Sequence, residues 1–426
     1  MSFDAPVRAR QRIAIIGSGI SGLASAYLLA AHHDVTIFEA EGRLGGHART
    51  KMAGKNGDQP VDTGFIVFNY ANYPNLTGMF DALNVPVTKS DMSFGTTINN
   101  GAVEYGLQNL SALFAQKSNL ARPAFLRMVR DIFRFNKTAE DLIQDETTTI
   151  GELTDQMGLG PWFTQYYLMP ICGAIWSTPP SEIRNYPAAS LLRFFRNHAL
   201  LSATGQHQWY TVKGGSIEYI KRLEAHLKML GCVMRLATPV AAVTRTALGV
   251  TVKAQNGENE QFDQVIFACH SDQALRLLAK PTPTEQKALS DLRYQANQVT
   301  LHSDPNQMPK RRACWSSWVY KSDNVGQEQA LGVTYWMNKL QAIPESDPLF
   351  VTLNAATPID ESKIYDQTTM YHPVFDTAAM AAQSTIQRIN GDNRTWFAGA
   401  YLRNGFHEDG FHSAVQVAEK METVFA

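Results

Sequence analysis

Residues 15–26 read IIGSGISGLASA, a GxGxxG loop whose surroundings decide what kind of chain this is. Ahead of it, RIAII (12–16) is a compact β-branched run, the mark of a strand buried on both faces. Behind it, SGLASAYLLAAHH (21–33) is rich in alanine and leucine and reads as a helix; DVTIFEA (34–40) reads as a second strand carrying Glu39 near its end. Strand, glycine turn, helix, strand and acid make one βαβ unit of dinucleotide-binding size. Gly17 permits the tight turn, Gly19 lets the backbone approach a pyrophosphate, and Gly22 lets the helix lie close to the sheet. Ser18, Gly19 and Ile20 lead into the helix, whose free N–H groups and positive dipole end favour phosphate. Glu39, with Ala40 beside it, is placed to accept hydrogen bonds from a ribose diol, and its charge repels a 2′-phosphate. NADP is thereby disfavoured, while NAD and FAD stay open.

The next ten residues separate those two. EGRLGGHART (41–50) places Arg43 and the pair Gly45–Gly46 directly after the acid. An NAD domain would continue with a surface helix and a third strand; here a cation and two bare backbone positions suit a second pass along an extended phosphate and ribityl chain. At these residues the sequence resembles the FAD-dependent amine oxidase and phytoene desaturase superfamily, with His47 where many amine oxidases carry arginine. VDTGFIVF (61–68) resembles the segment those enzymes set beside the flavin ring, which implies contacts from Gly64, Phe65 and Ile66. TPVAAV (238–243) resembles the strand over the adenine, with Val240 at the contact, and VIFACH (265–270) the strand that closes that lobe. TWFAGAYLRNGFHEDGFHSAVQVA (395–418) resembles the C-terminal flavin segment. There Gly399 ends a strand, Asp409 offers a polar contact, and residues 410–414, beginning at Gly410, open the last helix toward the flavin carbonyl. The resemblance implies FAD held without a covalent link.

A narrower likeness runs through NYPNLTGMFDALNVP (72–86), AIWSTPP (174–180) and FHEDGFHSA (406–414). Together with the FAD signature, these segments resemble bacterial flavoproteins associated with cyclopropane fatty acid synthesis, over residues 12–418. That likeness implies a lipid connection without stating a reaction.

The expected architecture is α/β: a Rossmann-like FAD-binding domain of the amine oxidase type, interleaved with a mixed sheet-plus-helices substrate domain. The first takes residues 1–84, 205–284 and 390–426; the second, roofed by helices, takes 85–204 and 285–389. A chain of 426 residues with 44% hydrophobic and 18% charged residues can bury a substantial core. A net charge of −1 argues against nucleic acid as a partner. The four cysteines show neither CxxC nor metal spacing, so no metal site is expected, and they fit reduced thiols in a cytoplasmic protein. No run approaches the ~20 apolar residues of a membrane span.

A flavin carries its own redox chemistry, so no catalytic triad is required, and no catalytic residue is singled out. By the resemblance, Phe411 holds one wall of an amine-sized cage, but the strand NQVTLHS (297–303) lacks the lysine amine oxidases use near the reactive flavin nitrogen. Trp176 and His407 are further pocket candidates, while His412 reads as a helix-surface residue and Cys172 and Cys269 as inert buried thiols. ARPAFLRMVRDIFRFNK (121–137) spaces Phe125, Met128, Val129, Ile132 and Phe133 as one helix face, with Arg127, Arg130, Arg134 and Lys137 mostly on another. Such a helix either packs on its own core or rests on anionic lipid, with Phe125 and Phe133 inserted as a peripheral membrane contact. LLRFFRNH (191–198) offers a shorter version. Three functions stay open: an oxidoreductase that desaturates or isomerises an acyl chain of a lipid, an oxidase of amines or another small hydrophobic metabolite, and an accessory protein with structural FAD that partners a lipid methyltransferase.

Overall fold

The computed structural model describes residues 10–143, 148–176, 183–197, 207–322 and 332–424. Its first layer grows from the glycine loop. Strand β1 (Arg12–Ile16) pairs in parallel with β2 (Asp34–Phe38) on one side and with Gln264–Phe267 on the other. Val233–Arg235 and Thr395–Phe397 complete a five-stranded parallel sheet at its two edges. Ile13, Ala14 and Ile15 are fully buried, as an all-apolar strand covered on both faces must be. Helix α1 (Ile20–Leu29) returns over the sheet so closely that a Cβ on Gly22 would lie 2.0 Å from the Gly17 carbonyl oxygen. The C-terminal helix (His407–Val424) packs against α1, and Gly410 sits at that crossing, where a Cβ would lie 2.7 Å from Ile20 Cγ2. Above the sheet, Val240–Arg245, Val250–Ala254 and Asn259–Phe262 form an antiparallel meander, with Asn256 and Gly257 in its second turn.

The second layer is a seven-stranded mixed sheet. Its long edge pair is β3 (Arg293–His302) and β4 (Ile364–Val374), antiparallel from Arg293↔Val374 to His302↔Ile364. Phe350–Leu353, Gly332–Trp336 and Trp318–Ser322 follow, and Trp318–Ser322 pairs in parallel with Phe94–Ile98, next to Val103–Gly106. Helices roof this sheet. The longest, α2 (Pro123–Leu142), turns Phe125, Met128 and Phe135 into a second core together with Phe163 and Leu168. Leu191, Leu192 and Phe195 are buried in the same core, so the stretch at 191–198 is a packing helix over its described part, not a lipid contact. Phe125 is likewise fully buried and cannot insert into a bilayer; Phe133, two turns on, is 60% exposed. The carboxylate that fixes α2 is Asp131, fully buried, which accepts from Gly160 N at 2.9 Å and from Arg130 at 3.0 Å. No described helix is long and apolar enough to cross a membrane.

Candidate functional site

A cavity of about 1410 Å³ lies between the two sheets. Pockets for single drug-sized ligands measure about 300–1,000 Å³, and this cavity exceeds that range, leaving room beyond a single small molecule. One end is built by the glycine loop. Gly17, Ser18, Gly19 and Ile20 line it beside Glu39, Ala40, Arg43 and Gly46. A Cβ on Gly19 would meet no protein atom within 4 Å, so the loop presents bare backbone at the start of α1. Gly46 (φ +54°) lies over it, its missing Cβ 3.0 Å from Gly19 Cα, and Gly45 N donates to Ser18 O at 3.0 Å. The second pass of the chain therefore stacks directly on the first.

Glu39 closes this end. Its Oε2 accepts from Ser18 N (2.9 Å) and Ser18 Oγ (2.6 Å), and its Oε1 from Glu41 N (2.8 Å). A carboxylate has about four acceptor positions, so with three taken one remains for a ribose hydroxyl. Arg43 is largely committed elsewhere: it donates to Gly46 O (2.8 Å) and Ala48 O (3.2 Å) and pairs with Glu41 at 2.9 Å. Its first task is to hold the Gly45–Gly46 loop in shape. Gly64, Phe65 and Ile66 line the middle, carried on a segment that Asp62 anchors. Asp62 is buried and accepts from Ser216, Thr50 and Gln341; burial pushes its carboxyl up to about 6 against those hydrogen bonds. Val240 and Gly399 complete the lining, Gly399 N donating to Ser413 Oγ at 2.9 Å.

The C-terminal segment differs from the sequence expectation in register. The last helix begins at His407, three residues before Gly410. Phe406 and His407 therefore face the cavity, while Asp409, Gly410 and Phe411 lie behind it. Asp409 caps the helix instead, its Oδ2 accepting from Phe406 N at 2.9 Å, and burial pushes its carboxyl up to about 6. Phe411 is a core residue, so no amine-cage wall stands there. Gly22 and Gly45 likewise pack behind the lining. Trp176 ends a described helix, but its side chain and residues 177–180 lie outside the described residues. His412 is half-buried on the helix, away from the lining. Cys172 is buried and burial pushes its thiol far up; Cys269 lines the cavity with its thiol pushed up to about 12, also by burial.

Five histidines line the cavity among the described residues: His47, His207, His270, His372 and His407. His407 stacks on Phe65 (centroids 3.9 Å apart, 10° between planes), and its Nε2 hydrogen-bonds Tyr219 Oη at 2.7 Å. Burial, with His47 as a second cause, lowers its pKa to about 3, so it is neutral. His270 closes the VIFACH segment without any sign there of a site role, and His372 lies in none of the motifs; the fold brings both beside His47.

The other end is apolar. Leu110, Leu113, Val129, Ile132 and Phe133 line it beneath the roof, over a floor that includes Trp318 and Tyr335. Leu110 and Phe133, 70% and 60% exposed, mark its opening. Among the described lining residues there is no lysine, and the charged ones are Glu39, Glu41, Asp91, Arg43, Arg49 and Arg276.

A family profile described as flavin containing amine oxidoreductase matches residues 20–310, well over half of the chain. The chain belongs to the flavin containing amine oxidoreductase family. It is by that membership an FAD-dependent oxidoreductase, and its glycine-loop end fits FAD: open backbone at a helix N-terminus, an acid at the end of β2, and room beyond. Curated relatives match only in a short stretch. A mitochondrial protoporphyrinogen oxidase of Nicotiana tabacum is 56% identical over 41 residues, 9% of this chain and 8% of that protein. An L-amino-acid oxidase of Sistrurus catenatus edwardsii is 54% identical over 41 residues, with the same coverage of 9% and 8%. Among solved structures, a CLA-producing fatty acid isomerase from P. acnes superposes with a TM-score of 0.70 at 16% identity, covering 98% of this chain and 99% of that one. Cyclohexylamine oxidase from Brevibacterium oxydans IH-35A gives 0.68 at 14% identity, covering 97% and 100%. Likeness at these identities is likeness of fold.

Proposed function

We propose that this oxidoreductase acts on an aliphatic lipid, desaturating or isomerising a fatty acyl chain. The observation that carries the reading is the apolar arm: a hydrophobic passage, free of lysine, that joins the flavin end to an opening beside α2. An alkyl chain gains about 0.8 kcal/mol per buried CH₂ in such a passage, whereas an ammonium group entering it would lose its hydration, and the carboxylate beside the floor, Asp91, already accepts from the hydroxyls of Ser93 and Ser317. The fatty acid isomerase that shares the fold, and the resemblance to flavoproteins of cyclopropane fatty acid synthesis, support the same substrate class.

FAD, when bound, supplies the acceptor for hydride from a substrate carbon. The chain supplies the rest. Gly19, Gly46 and the start of α1 would hold the diphosphate, and Glu39 the ribose. Phe65, stacked on His407, and Ile66 would border the ring. The C-terminal helix, opening at His407, turns its positive end toward the same space and so favours negative charge there. The roof keeps water from the arm.

Substrate access in this reading is from a lipid surface. Phe133 marks the opening, and Arg130 and Lys137 lie one turn either side of it on α2. Anaerobic mixing with acyl lipids should bleach the flavin absorbance where the chain is desaturated, or leave the flavin oxidised and the lipid with a shifted double bond where it is isomerised; amines should do neither. Bleaching by amines alone sinks the proposal. Neither bleaching nor a shifted double bond with any lipid, joined to tight binding of a lipid methyltransferase, turns the reading to the accessory role.

A further inference from the structure

The glycine-loop end has a charge problem. An FAD diphosphate brings negative charge to a region that already holds Glu39 and Glu41. Its three cations are engaged: Arg43 with Glu41 and loop carbonyls, Arg49 bidentate on Asp366 (2.6 and 3.1 Å), Arg276 on Asp272 (2.7 Å). Three imidazoles stand where free cations are missing. His47 follows Gly46, which packs on Gly19; His270 follows Ala268 and Cys269, which pack on Gly17. Both thus flank the loop. His372, from β4, closes the group: its ring centroid is 5.6 Å from that of His47, which is 6.1 Å from that of His270.

We propose that His47, His270 and His372 form a proton-linked anion cradle, taking up protons as the FAD diphosphate seats, so that cofactor binding and proton uptake are one event. Without an anion the three are held neutral. Burial lowers His270 to about 4, with His47 and Arg276 adding to it and Asp272 opposing; burial, then His47 and His270, lowers His372 to about 3. His47 is lowered by burial and by Arg43, against Glu41 and the Tyr371 carbonyl. The remaining neighbours do not supply charge: Tyr294 stacks on His270 as a neutral phenol, Asn297 Nδ2 donates to His372 Nδ1 at 2.8 Å, and His407 is neutral. A diphosphate beside the imidazoles reverses the balance, because an adjacent anion favours the charged form.

The sign follows from linkage. Groups whose pKa is higher in the bound than in the free protein add affinity below the free pKa and lose it as pH rises through the bound one. FAD affinity should therefore fall with rising pH above about 4, by about tenfold per pH unit for each proton taken up. The test is FAD titration of the apoprotein by flavin fluorescence from pH 5.5 to 8.5. Calorimetry at pH 7 in two buffers of different ionisation enthalpy then counts protons. The parent should show the slope and net uptake, and the triple variant His47→Gln, His270→Gln, His372→Gln neither. His47→Arg, which places a permanent cation in the cradle, should bind more tightly than the parent at pH 8.5 with a shallower slope. A parent without slope or uptake overturns the proposal, as does a triple variant that keeps the parent's slope. If the triple variant takes no FAD at any pH, His47→Arg decides: a slope equal to the parent's overturns it.

Discussion

The two ends of the cavity are built on different principles. The cofactor end is made of backbone: glycines at 17, 19 and 46, the first turn of α1, and a carboxylate clamped by three hydrogen bonds. The substrate end is made of side chains, contributed by α2, by the segment after Gly106 and by a sheet floor drawn from both halves of the sequence. Backbone geometry tolerates little change, whereas a side-chain wall can be re-cut residue by residue. A fatty acid isomerase and a cyclohexylamine oxidase share the fold at 16% and 14% identity.

Substitutions can break this comparison at several strengths. The largest effect is expected for Phe125→Ala, since a fully buried aromatic in the roof core should cost about 3–5 kcal/mol of stability by chemical denaturation. Gly22→Ala should come next: its Cβ meets backbone at 2.0 Å, and overpacking of that kind costs about 1–3 kcal/mol or more, with FAD content falling too. Glu39→Gln removes charge-assisted hydrogen bonds worth about 1.5–3 kcal/mol, so FAD affinity measured by titration should drop roughly ten- to a hundredfold. At the substrate end, Arg134 and Lys137, both exposed on α2, changed together to Gln leave the Arg127 and Arg130 pairs to buried Asp131 in place; the variant should weaken sedimentation with anionic vesicles, at about 1 kcal/mol per cation near the surface, and keep its FAD content. Equal sedimentation of parent and variant would remove α2 from the access route. The smallest expected effect on stability belongs to Phe133→Ala, within about 0.5 kcal/mol. Its consequence should show in KM for an acyl substrate, and an unchanged KM would detach the rim from substrate binding.

The same division explains what the sequence reveals. The cofactor end is legible because backbone demands are met by residue type: glycine where a Cβ would strike a carbonyl, an acid at the end of a strand. The register of the last helix is not, because a start at His407 or at Gly410 leaves the residue types unchanged. That shift of three residues takes Asp409, Gly410 and Phe411 from the lining into a cap, a helix crossing and the core. On α2 the apolar spacing admits two faces, and only packing against Tyr105 and Phe114 shows that Phe125 belongs inside, with Phe133 left outside. His270 and His372 carry no signal of their own; their meeting depends on β4 reaching the strand that ends before Cys269.

The parallel sheet holds one more consequence, for synthesis. Its outer strand, Thr395–Phe397, pairs with Gln264–Phe267, which in turn flanks β1 at the other end of the chain. A ribosome adding about 5–20 residues per second thus releases the glycine loop long before its sheet can close. Until residue 397 emerges, the Gln264–Phe267 edge stays unpaired and apolar, open to wrong partners. The nascent chain should accordingly depend on a holding chaperone, or on early FAD, through most of its translation.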